Sequence, residues 1–390
     1  MNKINKYVNK IQYIVYTIFL VFSLLSLVSI NYNNHIALIF RIIRYLCYLF
    51  FMIVIILNYK KTSKWDIALV ILSSFVAFFS KNKHLIIVIL IIISMKSFDL
   101  KRIFKVSLAT FSTFYALCVI FSLIGIIPDW TFTRGNIIRH SLGFIYPTDC
   151  FSIYLVIIFL YFVVFPKKYK ILSIFLLEFL NVLLYLYTNG RLSFYLINIV
   201  LIIMALLKNK NIYNFSINLL RTKSIKVFSY LLPFLLFVGF AFLVFSYNQG
   251  MKYAYVFDDV LSERIRLTSS AFDKYQITLF GEEIKWNGWG GYGYRDTNDM
   301  GTFEYNFVDS SYPRILLDYG VIFTFIVLIG YSLILNYYIK NNNLIMYLIF
   351  VFILLWSVIE PSIISIPKNI LVVAFSILLK RDYLFNYKKI

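Results

Sequence analysis

Residues 308–337 read VDSSYPRILLDYGVIFTFIVLIGYSLILNY, and the fold turns on how this stretch is read. From Tyr312 to Tyr337 it is apolar over more than the roughly 20 residues that a membrane-spanning helix needs. Yet its head carries Asp309, Arg314 and Asp318, residue types that are expensive in hydrocarbon and mark functional positions when they occur there. Ser310, Ser311 and Pro313 suit the start of a helix, which puts Asp309 at the mouth of the span. Arg314 and Asp318 lie four residues apart, so they share a helical face and can pair. The stretch reads as a spanning helix with a polar rim.

The rest of the chain supports a membrane setting. Of 390 residues, 61% are hydrophobic and 14% charged, against roughly half and a quarter in soluble domains. Apolar runs recur at 11–30, 36–57, 67–80, 84–95, 106–127, 149–165, 171–187, 192–207, 227–246, 312–337, 344–359 and 370–380. The expected fold class is therefore all-α, a polytopic integral membrane protein of about twelve transmembrane helices. Residues 1–246 form a first membrane bundle, 247–311 a large extracytoplasmic loop, and 312–390 the last spans and a cytoplasmic tail. The first run is long enough to span and lacks a small-residue cleavage site after it, so no cleavable signal is expected. Cys47, Cys118 and Cys150 lie in or beside apolar runs without metal-ligand spacing and read as buried thiols.

Formal charge is +20, but its distribution points to membrane orientation rather than to nucleic acid. The short segments 1–10, 58–65, 96–105, 166–170, 208–226 and 338–343, with the C-terminal KRDYLFNYKK, hold 23 of the 38 basic residues. The positive-inside rule makes these segments, and both termini, cytoplasmic. Those 23 comprise 20 Lys and 3 Arg, whereas the other 15 comprise 6 Lys and 9 Arg. Orientation needs only positive charge, but the planar guanidinium binds phosphate or carboxylate through two parallel bonds. An arginine bias on the outer face suggests an anionic ligand there. Arg41 and Arg44, on one face of the second span, are expected to pair structurally with Glu178.

The outer segment 247–311 has 65 residues, ten of them acidic and six basic, long enough to carry structure or function of its own. Within it WNGWGGYGYRDTND (286–299) sets Trp286, Trp289, Tyr292 and Tyr294 among glycines and hydrogen-bonding side chains. Apolar rings beside Asp, Asn and Arg suit a sugar, whose CH faces stack while its hydroxyls need partners. An interfacial aromatic anchor is the plainer alternative. Four further outer features carry charge: PDWTFTRGNIIRHSLGFIYPT (128–148) with Arg134, Arg139 and His140; TNGR (188–191) with Arg191; SERIRL (262–267) with Arg264 and Arg266; and IEPSIISIP (359–367) with Glu360. Arg191 opens a span directly after Gly190, so it stands near membrane depth unless it snorkels to headgroups. For Arg264 and Arg266 the plainer alternative is the solvated face of an amphipathic helix over 259–280. His140 is a candidate base on a polar loop.

No Walker motif, dinucleotide fingerprint, nucleophile elbow or HExxH is present. No DxD pair stands in a hydrophilic loop; Asp258 and Asp259 are adjacent. The expected chemistry uses an already activated substrate, with no cofactor and no metal. A lipid diphosphate sugar supplies its own leaving group and explains the outer arginines.

Together RHSLGFIYPTD (139–149), TNGRLSFY (188–195), RIRLTSSAFDKYQITLFG (264–281) and VDSSYPRILLDYGVI (308–322) make the chain resemble a Wzy-type polysaccharide polymerase of the O-antigen ligase/polymerase superfamily. The resemblance implies a GT-C-like, metal-independent, inverting glycosyltransferase. Such enzymes join undecaprenyl-diphosphate-linked oligosaccharide repeat units at the outer face of the cytoplasmic membrane, in capsule, exopolysaccharide or O-antigen synthesis. The related ligases carry an SRG segment, which NGR (189–191) echoes, and a late HNxxLxxxxExG segment whose His assists acceptor deprotonation. Here DSSYPRILLDYG (309–320) matches it, with Asp309 in the place of that His and Asp318 in the acidic position. The implied partners are the lipid-linked oligosaccharide, the bilayer, and a chain-length regulator and flippase of the same pathway; no nucleic acid is among them.

On this basis Arg191, Arg264 and Arg266, with Arg139, are expected to hold the donor diphosphate and stabilise its departure. Asp309 is expected to orient or deprotonate the acceptor hydroxyl, with His140 as the other candidate base. Tyr312, Arg314, Trp286, Trp289 and Tyr292 are expected to shape the sugar site. A ligase of the same superfamily is the nearest alternative. A lipid-linked oligosaccharide flippase is the rival from another class, and it would place ionisable residues through the midplane of repeated halves.

Overall fold

The computed structural model describes residues 2–30, 34–166, 168–288 and 305–380, and the chain is mostly helical. In order the helices are α1 (Asn2–Leu24), α2 (Asn34–Leu57), α3 (Lys64–Phe79), α4 (His84–Ser94), α5 (Leu100–Leu123), α6 (Pro147–Val164) and α7 (Ile171–Thr188). There follow α8 (Arg191–Leu206), α9 (Lys210–Leu220), α10 (Lys223–Asn248), α11 (Lys252–Val260), α12 (Arg264–Lys274), α13 (Ser311–Lys340) and α14 (Leu344–Trp356). Between α5 and α6 the loop folds into an antiparallel hairpin of β1 (Thr131–Arg134) and β2 (Ile137–His140).

Among the described residues seven helices are long and apolar enough to cross a membrane: α1, α2, α5, α6, α7, α10 and α13. The pair α8 and α9, bent by 107° at its junction, makes up to eight if it is one span. The chain is thus a helical, multi-pass membrane protein, and its described residues hold fewer full-length spanning helices than the twelve apolar runs. Helices α3, α4 and α14 have 16, 11 and 13 residues, and at about 1.5 Å per residue each falls short of a hydrocarbon core of about 30 Å. The run 370–380 is no α-helix: Ile370–Ile377 is a 3-10 helix, and Ile370 through Ala374 are all buried. A lipid-facing span exposes one side, so this run is apolar because protein surrounds it.

Packing divides the chain into two compact units interleaved in sequence: Met1–Ser63, Leu90–Ile197 and Ile366–Ile390 form one, Lys64–Ile89 and Asn198–Ser365 the other. In the first, α6 packs between α5 and α7 and is mostly buried. Pro147 starts it, where a missing N–H goes unmissed and φ is preset. Gly143 (φ +86°) lies directly on α5, since a Cβ there would stand 2.9 Å from the Cys118 carbonyl oxygen. Cys47, Cys118 and Cys150 are all free and buried. The Arg41/Arg44 pairing with Glu178 does not form; no such ion pair occurs among the described residues, and Glu178 instead accepts from Asn181 Nδ2 at 3.3 and 3.4 Å.

In the second unit α13 packs chiefly on α10 and also on α14 and α3. It is not one continuous helix. Gly320, at φ +78° and ψ 175°, breaks it, and the loop residues 278–282 lie against the break. Val321 and Ile322 donate their N–H groups to the carbonyls of Thr278 and Leu279 (3.0 and 3.4 Å), and Glu282 N–H donates to Leu317 O (3.0 Å). The orphaned groups of a broken helix thus find partners in the loop, as buried backbone requires. The two segments approach so closely that each needs a glycine. A Cβ on Gly320 would stand 2.4 Å from the Leu279 carbonyl, and one on Gly281 2.3 Å from the Asp318 oxygen.

Candidate functional site

Ser311 fixes the head of α13. Its N–H donates to Ser357 O (2.8 Å), and its hydroxyl donates to Glu360 O while accepting from the N–H groups of Ser362 and Ile363 (2.8 and 3.1 Å). Tyr312 follows, fully buried, with its hydroxyl donating to Leu354 O at 2.9 Å. Expected beside the sugar, Tyr312 is instead a strut between α13 and α14.

This anchoring leaves Asp309 just before the helix, with its side chain 27% exposed and Oδ2 3.8 Å from Arg264 Nη2. Arg264 is only 9% exposed and is pinned by two backbone acceptors: Nε donates to Ile359 O (2.7 Å) and Nη1 to Leu261 O (2.9 Å). Nη2 remains turned to the carboxylate at ion-pair rather than hydrogen-bond distance. The start of α12 holds Arg264 there. Buried Asp258 accepts the N–H groups of Ile265 and Arg266 (2.8 and 3.0 Å) through Oδ1, capping two otherwise orphaned donors. Arg266 does not share this setting; it is exposed and donates to Glu263 within its own turn. Of the two arginines in SERIRL, only Arg264 meets Asp309.

A second cluster sits further along α13. Arg314 and Asp318 pair as their spacing predicts, Nε to Oδ2 at 3.1 Å. Trp286 donates its indole N–H to Asp318 Oδ1 (2.8 Å). The Arg314 guanidinium lies over the rings of Trp286 and Phe307, 4.3 and 4.4 Å from their centroids, and donates through Nη1 to Val308 O (3.3 Å). Ring faces attract a cation that is partly removed from water. Arg314, Asp318 and Trp286 are thus engaged by one another, so they fasten the loop to α13. Trp289 and Tyr292 lie outside the described residues.

The remaining candidates belong to the first unit. Arg139, on β2, donates from Nε to Thr188 O (2.8 Å) and from Nη1 to Tyr146 Oη (3.4 Å), and its guanidinium lies 5.4 Å from the Tyr146 ring centroid. It ties the hairpin to the end of α7. There Asn189 takes the left-handed conformation (φ +49°), and Gly190 passes so near Phe151 that a Cβ would stand 2.5 Å from its ring. Arg191, the first residue of α8, is exposed and has no side-chain partner among the described residues. It is the free guanidinium of this turn, whereas Arg139 is committed to structure. His140 Nδ1 lies 2.5 Å from Asp129 Oδ2, and Asp129 Oδ1 accepts Leu142 N–H (2.8 Å).

Two charged residues escape the sequence patterns. Lys368 Nζ meets Asp149 Oδ1 at 2.7 Å, and both side chains are largely buried. The available signal is their position: Asp149 in the first turn of α6, Lys368 a basic residue between two apolar runs. Compared with known proteins, the chain matches no family model, no curated protein and no solved structure.

Proposed function

We propose that the protein is a polysaccharide polymerase of the cytoplasmic membrane, joining undecaprenyl-diphosphate-linked repeat units at the outer face without a metal or cofactor. The observation that carries this reading is the pinned Arg264 facing Asp309 at the head of a broken membrane helix. Arg264 supplies a fixed positive charge for a diphosphate oxygen, pre-oriented by the Ile359 and Leu261 carbonyls. Asp309 supplies an accessible carboxylate for an acceptor hydroxyl. In the reaction the acceptor oxygen forms its bond to the donor anomeric carbon as the bond from that carbon to the diphosphate oxygen breaks. The electron pair leaves with the lipid diphosphate, and the acceptor proton passes to Asp309. Arg191, in the first unit, is exposed and without a side-chain partner among the described residues, and is open to an anionic group. Absence of a nucleotide motif fits a donor that carries its own leaving group.

Purified protein in nanodiscs, given a short undecaprenyl-diphosphate repeat unit and no nucleotide or metal, is expected to yield a ladder of longer lipid-linked chains on gels. Transfer of the same lipid across liposomes without any ladder would replace this reading with a flippase. Arg191→Ala is expected to lower elongation with unchanged solubilised yield, since the native side chain is exposed.

A further inference from the structure

The first part of the loop after α10 is a helix whose apolar face points outward. On α10 the exposed residues Leu231, Leu235, Val238, Phe242 and Phe245 recur at helical spacing, the stripe a spanning helix turns to lipid. The chain then turns at Gly250 (φ +72°) into α11, KYAYVFDDV. Ala254 and Asp258, one turn apart, are buried. On the remaining surface Tyr253, Val256, Phe257 and Val260 recur at i, i+3, i+4 and i+7, and all four are exposed, Val256 by 63% and Val260 by 60%. A water-facing helix places polar side chains at these positions.

The same stripe continues without a break from α10. Tyr253 stacks on Phe242, with centroids 6.5 Å apart and planes at 14°, and its hydroxyl donates to Ser246 at 2.7 Å. Phe242 and Ser246 lie in the last two turns of α10. That helix has 26 residues and rises about 39 Å, against about 30 Å of hydrocarbon, so those turns fall at the membrane boundary. Lys252 and Asp259 are exposed on the same short helix, giving it charges beside its apolar stripe.

We propose that α11 is an interfacial helix, seated in the headgroup–acyl boundary of the leaflet reached by the C-terminal end of α10, with bilayer lipid as its partner. Aromatic and aliphatic side chains on one face with flanking charges suit that depth. One consequence rests on the polymerase reading: Asp258 ties α12 to α11, so Arg264 is held near the depth of lipid phosphates, where a lipid-linked diphosphate lies.

The insertion of α11 is tested without any turnover, so its failure is distinct from failure of the polymerase reading. Single variants Val256→Cys, Val260→Cys and Asp259→Cys carry an environment-sensitive NBD label in phosphatidylcholine nanodiscs; the unsubstituted protein, whose cysteines are buried, is the blank. Labels at 256 and 260 are expected to emit further to the blue and to be quenched several-fold more by lipid doxylated at carbon 5 than by aqueous iodide. The label at 259 is expected to behave oppositely. Iodide quenching at both 256 and 260 overturns the proposal, and so does protection from both quenchers, which would mean that protein covers the stripe. Both positions are exposed, and a folding defect at either leaves the other to be read.

Discussion

At the scale of single residues, Asp309 and Arg264 divide the work. Asp309 is the accessible member, and Asp309→Asn keeps its size and its place before the helix while removing the carboxylate. Elongation is expected to fall by about 100-fold or more, the usual scale for losing a general base, with thermal stability unchanged by fluorimetry. Arg264 is both ligand and scaffold. Arg264→Met removes the charge and also leaves the carbonyls of Ile359 and Leu261 without this donor, so it is expected to lower activity and to destabilise by about 1–3 kcal/mol. Activity lost at Asp309 with stability kept, against both lost at Arg264, distinguishes the roles; equal stability losses would refute the division. Arg266→Ala, whose partner is Glu263 in exposed surroundings, is expected to change stability little.

At the scale of elements, the break in α13 is the feature on which the site depends. Residues Ser311–Tyr319 form a short helix separated by Gly320 from the rest of α13, so Arg314 and Asp318 are carried on a segment that the loop fastens. This accounts for charged residues at the head of an apolar run. Gly320→Ala meets both a disfavoured positive φ and the Leu279 backbone, and is expected to lower stability by about 1–3 kcal/mol. Gly281→Ala strikes the opposite side of the same contact. Because the two glycines share one close approach, the double variant is expected to lose less than the sum of the single losses. Thermal unfolding in detergent measures all three; full additivity would show that the two segments do not depend on one another.

At the scale of the whole molecule, stability in the first unit leans on a buried ion pair that no sequence pattern marks. Lys368→Met strands Asp149 and is expected to destabilise by about 3–5 kcal/mol, whereas adding Asp149→Asn is expected to recover most of that loss. A thermal shift no greater in the single than in the double variant would show that the pair is not coupled. Some of the architecture was already legible in the residues. Membrane class, helical character and the expectation of an Arg314–Asp318 pair follow from composition and short spacing, because hydropathy and i, i+4 geometry are local. The number of full spans was not legible, since runs 84–95, 344–359 and 370–380 are apolar for packing in protein as well as for lipid, and composition does not separate the two.

The site divides the same way. Sequence by itself determined that arginines gather away from the lysine-rich segments and that Asp309 stands at the mouth of a helix. It placed Arg264 and Arg266 on equal terms, and Tyr312 beside a ligand. Tertiary structure decided otherwise: Arg264 meets Asp309 while Arg266 turns to its own Glu263, and Tyr312 is buried against Leu354. It also decided that Gly320 interrupts the helix, that Phe307 and Trp286 enclose Arg314, and that Lys368 finds Asp149. Each of these contacts joins residues distant along the chain or chooses among neighbours by burial. Local propensity carries no information about either, because only chain packing brings distant carbonyls, rings and charges within a few ångströms.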